Sequence, residues 1–205
     1  MHLALGLLAG YLIGSTPFAV LLARRRLGFD VLRNGTRNPG ATNVFRNVGR
    51  ITGAVVGFLD YFKALVPALV AESSLGWSPP QAAALAIGAV LGHDFSIFLR
   101  LRGGKGGAST LGVFSYLDFP ALLGVGLLWA LSLLFLKSRR FVAGPAALSL
   151  FPLLAALHHS PPGSSILPGW GVPSGRLATL AGLGLIGLLW SRIVPGLVRR
   201  PREAG

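Results

Sequence analysis

The feature that most limits this chain is a series of long apolar runs separated by short, strongly basic stretches. A helix that crosses a bilayer needs about 20 consecutive apolar residues, and fewer where neighbouring helices shelter it. Runs of that kind are predicted at 3–23, 52–71, 81–99, 120–136, 141–157 and 177–194, with a short one at 109–116. A mean hydropathy of +0.66 with only 12% charged residues places the chain in the membrane class. The sequence therefore predicts an all-α, polytopic membrane protein of seven transmembrane helices, the fourth short, forming one integral membrane domain over 1–205. The first run does not read as a cleavable leader, because no basic region precedes it and Arg24, Arg25 and Arg26 follow it directly.

Charge gives that count a direction. Lys and Arg are retained on the cytoplasmic side of a membrane protein. With seven spans, all but two of the 19 basic residues fall on one side, in loops at about 24–50, 100–108 and 137–140 and in a short C-terminal tail. Arg176 alone lies on the other side, while Lys63 lies inside a span. Adding or removing one span would destroy this asymmetry, so the N-terminus is expected outside and the C-terminus inside. The net charge of +13 does not point to nucleic acid, since the basic residues sit in clusters between apolar runs instead of covering a polar surface. With no cysteine, the chain has no disulfide, no thiolate metal site and no Cys nucleophile, and neither a metal nor a cofactor is expected. The four tryptophans lie at or near span ends, where interfacial anchors belong.

Two polar islands on the basic side carry chemistry. The first, 28–50, is too long and too rich in Asn, Gly and Thr to be a minimal turn. Gly35 and Gly40 free its backbone, Pro39 stiffens it, and Thr36, Asn38, Thr42 and Asn43 offer donors beside Arg33 and Arg46. Such a set suits an anionic, oxygen-rich ligand; a solvated loop with its own turn hydrogen bonds explains the composition as well. The second island, "LRLRGGKGGAS" at 99–109, places Lys105 among four glycines that let the main chain approach a phosphate closely. It is not a Walker A loop, because Leu99 and Gly106 stand where Gly and Ser or Thr are required.

Four ionisable groups lie within or at the ends of apolar runs, where charge is costly and usually functional. Asp60 and Lys63 share one helix face and can neutralise each other. His93 and Asp94 precede the glycine-rich loop, so His93 can reach that loop or bond a neighbouring carbonyl.

"GSTPF" at 14–18, "DVLRNGTRNPGATNVFR" at 30–46, "LDYFKALVP" at 59–67 and "GHDFSIFLRLRGGKGGAS" at 92–109 resemble the bacterial acyl-phosphate:glycerol-3-phosphate acyltransferases, the PlsY family. The resemblance implies a seven-helix bundle in the bacterial inner membrane with its active site on the cytoplasmic face. It implies transfer of a fatty acyl group from acyl phosphate to glycerol 3-phosphate, giving lysophosphatidate and phosphate for phospholipid biosynthesis. It assigns Thr36, Asn38, Gly40, Thr42, Asn43 and Arg46 to phosphate recognition, and Gly104, Lys105, Gly106 and Ser109 to a second phosphate site. Lys63, Arg192 and Glu203 join the substrate-binding set, and His93 is the protein's candidate base, although the departing phosphate can take the hydroxyl proton itself. A non-catalytic or transport membrane protein on the same scaffold, binding a phosphorylated lipid or another anion, is the alternative from another class.

The chain departs from the family pattern at several points. Arg37 stands where the family has Gly, and Ser109 where it has Thr. The final motif is reduced to Arg192 and Glu203, with Pro195 expected to bend or stop the last helix.

Overall fold

In the computed structural model, residues 2–135, 146–158 and 175–198 are described, and all their regular structure is helical. The chain divides into two compact units, 1–116 and 117–205. Among the described residues, four stretches are long and apolar enough to cross a membrane: Leu3–Arg25, Arg50–Ser73, Pro79–Leu99 and Arg176–Val194. Shorter apolar helices cover Phe119–Leu131 and Ala146–His158.

The first unit begins with α1 (His2–Gly14) and α2 (Phe18–Leu27), which together make the first long apolar stretch. The predicted run at 3–23 reads as one helix, but Pro17 has no N–H and interrupts it. The interruption leaves carbonyls available to other segments: Ser15 O accepts from Ser96 Oγ at 2.5 Å and Thr16 O from Lys63 Nζ at 3.3 Å. Non-helical backbone at membrane depth is tolerated where protein partners satisfy it in this way. Gly28, left-handed at φ 61°, ends α2 with its N–H on Arg24 O.

After the 28–40 loop come α3 (Ala41–Asn47), α4 (Arg50–Ser73), α5 (Pro79–Asp94), a 3₁₀ turn at Ile97–Leu99 and α6 (Gly107–Leu117). The start of α5 is set by Pro79 and Pro80, which need no N–H partner in a first turn, and by Gln81 Oε1, which accepts the Ser78 N–H at 2.9 Å.

The contact between α1 and α5 is backbone against backbone. A methyl group on Gly10 or Gly14 would overlap the carbonyl oxygens of Leu85 or Ala89, and one on Gly88 or Gly92 those of Leu7 or Tyr11. Gly6, Gly10 and Gly14 recur every fourth residue on α1, a spacing that permits such close approach in a membrane. Leu3, Leu5, Leu8 and Leu12 on the same helix are exposed, as side chains facing lipid should be. α3 lies on α4 where Gly53 faces Phe45, and Val31, Val44 and Val56 form a buried cluster with Ala19, Val20 and Ala23.

The second unit contains α7 (Phe119–Phe135), α8 (Phe151–His158) and α9 (Gly175–Val198). Asp118 Oδ1 accepts the Ala121 N–H at 2.9 Å and caps α7, while its other oxygen meets His158 Nδ1 at 3.0 Å. Trp190 Nε1 on α9 donates to Ser149 Oγ at 2.8 Å. The expected stop at Pro195 does not occur, since α9 stays helical to Val198. The loop at 137–140 and Glu203 lie outside the described residues.

Candidate active site

The charged residues inside the apolar runs converge. Asp60 and Lys63 project from adjacent turns of α4, and both are buried. Lys63 Nζ meets Asp60 Oδ1 at 2.7 Å and His93 Nδ1, from the last turn of α5, at 2.9 Å. His93 Nδ1 lies 3.4 Å from Asp60 Oδ1. The ion pair expected between Asp60 and Lys63 is therefore present, with the histidine and the Thr16 carbonyl as additional partners.

The glycine-rich loop is laid directly on this cluster. Gly103 and Gly104 donate their N–H groups to Asp94 O and His93 O at 3.1 and 2.9 Å, satisfying carbonyls that the end of α5 leaves open. A side chain at Gly103 would overlap the His93 carbonyl, and one at Gly104 would overlap the His93 ring at Nε2. Gly106 has φ +70° and would bring a methyl within 2.8 Å of Asp94 Oδ1. Three of the four glycines are thus required by contact with His93 and Asp94, a reason for glycine that the sequence alone did not reveal. Lys105 lies between them, partly exposed. Thr110 N–H bonds Gly106 O at 2.7 Å and starts α6, where the fully buried Ser109 hydroxyl donates to Asp60 O at 2.9 Å.

The 28–47 island is organised around Asn43. Its side-chain oxygen accepts from Thr36 N at 3.1 Å and Asn47 Nδ2 at 2.9 Å, and its amide donates to Val31 O and Asn34 O at 3.0 and 3.1 Å. Asn43 therefore folds the loop from within. Gly40 is buried at the start of α3, with Asn38 partly exposed beside it. Thr36, Thr42 and Arg46 remain exposed, and the last two line an open cleft of about 340 Å³ with Ala41, Phe45 and Gly53. Leu99, just before the glycine loop, packs against the cluster of Val31, Val44 and Val56 that supports this island. Arg192 belongs to α9 in the second unit.

Asp60 and the Thr16 carbonyl join this cluster, although the sequence reading did not assign them to the site. The available signal was a proline within the first apolar run, following Ser15 and Thr16.

Residues 4–193 match the family described as glycerol-3-phosphate acyltransferase. Among curated relatives, the glycerol-3-phosphate acyltransferase of Thermotoga petrophila is 40% identical over 62% of this chain and 65% of its own length. That of Anaeromyxobacter dehalogenans is 47% identical over 60% and 63%, and that of Geobacter sulfurreducens 46% identical over 56% and 58%. The matched stretches thus span less than two thirds of these relatives. Crystal structures of PlsY (YgiH), an integral membrane glycerol 3-phosphate acyltransferase, match along nearly the whole chain at 28% identity. The glycerol 3-phosphate form gives a TM-score of 0.74 over 97% of this chain and 92% of that one. The lysophosphatidic acid form gives 0.76 over 97% and 91%.

Proposed function

Because the chain belongs to the glycerol-3-phosphate acyltransferase family, we propose that it moves a fatty acyl group from acyl phosphate to the 1-hydroxyl of glycerol 3-phosphate, releasing inorganic phosphate and lysophosphatidate. The family match over residues 4–193 carries this reading. The glycine loop seated on His93 and Asp94 is its strongest local support, because both substrates present phosphate oxygens.

The acyl carbon forms a bond to the glycerol oxygen as its bond to the phosphate oxygen breaks. An acyl phosphate is already an activated mixed anhydride, so positioning and charge stabilisation supply the catalysis, and the departing phosphate takes the hydroxyl proton. Lys105 and Arg46 supply cationic contacts to phosphate, with Thr36, Asn38 and Thr42 as polar donors and Gly104 and Gly106 as close-approach points. Gly40 and Asn43 keep the first island folded, Ser109 fixes α6 against α4, and Lys63 and His93 form the floor. Arg192 and Glu203 are the substrate-binding residues that the family pattern assigns in the C-terminal part of the chain.

The setting is the bacterial inner membrane, crossed seven times, with the N-terminus outside, the C-terminus inside and the site on the cytoplasmic face. The distribution of the basic residues supports this orientation. The experiment supplies purified protein in detergent with palmitoyl phosphate and glycerol 3-phosphate and measures released phosphate. Phosphate release that depends on glycerol 3-phosphate is the expected result. Binding of glycerol 3-phosphate without release would make the protein a non-catalytic binder of a phosphorylated ligand on this scaffold.

A further inference from the structure

Lys63 Nζ lies within hydrogen-bond distance of both Asp60 and His93, which bears on where the imidazole carries its hydrogen. An ammonium group has three hydrogens and no lone pair. Three acceptors surround Lys63 Nζ: Asp60 Oδ1 at 2.7 Å, His93 Nδ1 at 2.9 Å and Thr16 O at 3.3 Å. A hydrogen on His93 Nδ1 would face those of the ammonium, so Nδ1 offers its lone pair and Nε2 carries the hydrogen. Nε2 lies on the opposite edge of the ring, beneath Gly104, and makes no hydrogen bond among the described residues. Only glycine at 104 leaves that edge of the ring uncrowded, since a side chain there would overlap it.

We infer that Asp60 and Lys63 are positioning residues that hold His93 in its Nε2–H form, and that His93 serves the reaction as a hydrogen-bond donor to an anionic substrate oxygen at the glycine loop, not as the base. The inference rests on the acyltransferase reading given above. The hydroxyl proton passes to the phosphate oxygen released from the acyl carbon, and His93 ends the step with the hydrogen it began with. Removing a donor aimed at developing charge costs on the order of 100-fold in turnover.

The first test is spectroscopic and needs no turnover. In detergent-solubilised protein labelled with ¹⁵N-histidine, the His93 ring signals are identified by their loss in His93→Gln. A pyrrole-type Nε2 and a pyridine-type Nδ1 are expected. In Lys63→Gln the pattern should invert, with Nδ1–H donating to Asp60 Oδ1. If Lys63→Gln does not fold, the unsubstituted protein's spectrum decides alone, and a hydrogen found on Nδ1 there overturns the inference.

The second test is kinetic. A glutamine amide can place an N–H near the Nε2 position, so His93→Gln should keep phosphate release within about tenfold, while His93→Ala loses on the order of 100-fold. Equal inactivity of the two variants, both folded by thermal melting, would make His93 a base and sink the donor role. If the intact protein releases no phosphate at all, the acyltransferase reading fails and the donor role with it, while the ring spectrum still judges whether Lys63 and Asp60 fix the tautomer.

Discussion

Lys105 and Asn43 test opposite kinds of residue. Lys105 is partly exposed on a loop in which Gly103, Gly104 and Gly106 are held against His93 and Asp94, so its loss should leave the fold unchanged. Lys105→Ala is expected to abolish phosphate release with an unaltered thermal midpoint, and Lys105→Arg to restore only part, since a planar fork does not reproduce a point charge. Near-normal turnover in Lys105→Ala would reduce the loop to a membrane anchor. Asn43 is fully buried with four hydrogen bonds to its side chain, so Asn43→Ala should strip partners from several loop groups at once. A cost of about 1–3 kcal/mol is expected locally, read as faster amide exchange at residues 31–38. Chemistry-bearing residue types were legible in the sequence because intramembrane charge and clustered glycine are rare. The approach of His93 to the glycine loop was legible too, but the contact of Asn43 with Val31 and the need for glycine at 103, 104 and 106 depend on loop geometry that no periodicity encodes.

Helix positions were legible from hydropathy, with α4 and α5 close to the predicted 52–71 and 81–99 runs. The Pro17 interruption was harder to see, because Phe18 to Ala23 resume an apolar pattern immediately. The α1–α5 seam had a visible signal in Gly6, Gly10 and Gly14, but only the structure identifies the facing helix. Gly10→Ala should lower the thermal midpoint in detergent, since crowding a backbone seam costs about 1–3 kcal/mol. Gly187→Ala on α9, with open space at that position, is the control and should leave the midpoint where it was. Arg37 occupies the left-handed region at φ 54°, as its place in a family glycine position suggested. Arg37→Gly should therefore stabilise the 28–40 loop by up to about 1 kcal/mol, and an unchanged or lower midpoint would show that its charge matters more than its backbone.

For the molecule as a whole, sidedness is the property most directly open to experiment. A tag before His2 should react with an impermeant reagent from outside the cell, and one after Gly205 should not. Reaction of both from the same side would mean an even number of spans and would overturn the seven-span count. Long apolar runs and scarce charge made the membrane class readable, whereas the division at residue 116 was not, because no linker composition marks it. The α1–α5 seam also has a history in time. Tyr11 bonds the Phe95 carbonyl, a partner 84 positions further along the chain. At a synthesis rate of about 5–20 residues per second, α1 waits roughly 4–17 s before the ribosome delivers the helix it was shaped to meet. Throughout that interval its glycine stripe faces lipid or an insertion factor, and until Lys63 is made the Thr16 carbonyl beside Pro17 lacks the ammonium that later donates to it. α1 thus depends on a helix made after it, and its seam stays unsatisfied until α5 arrives.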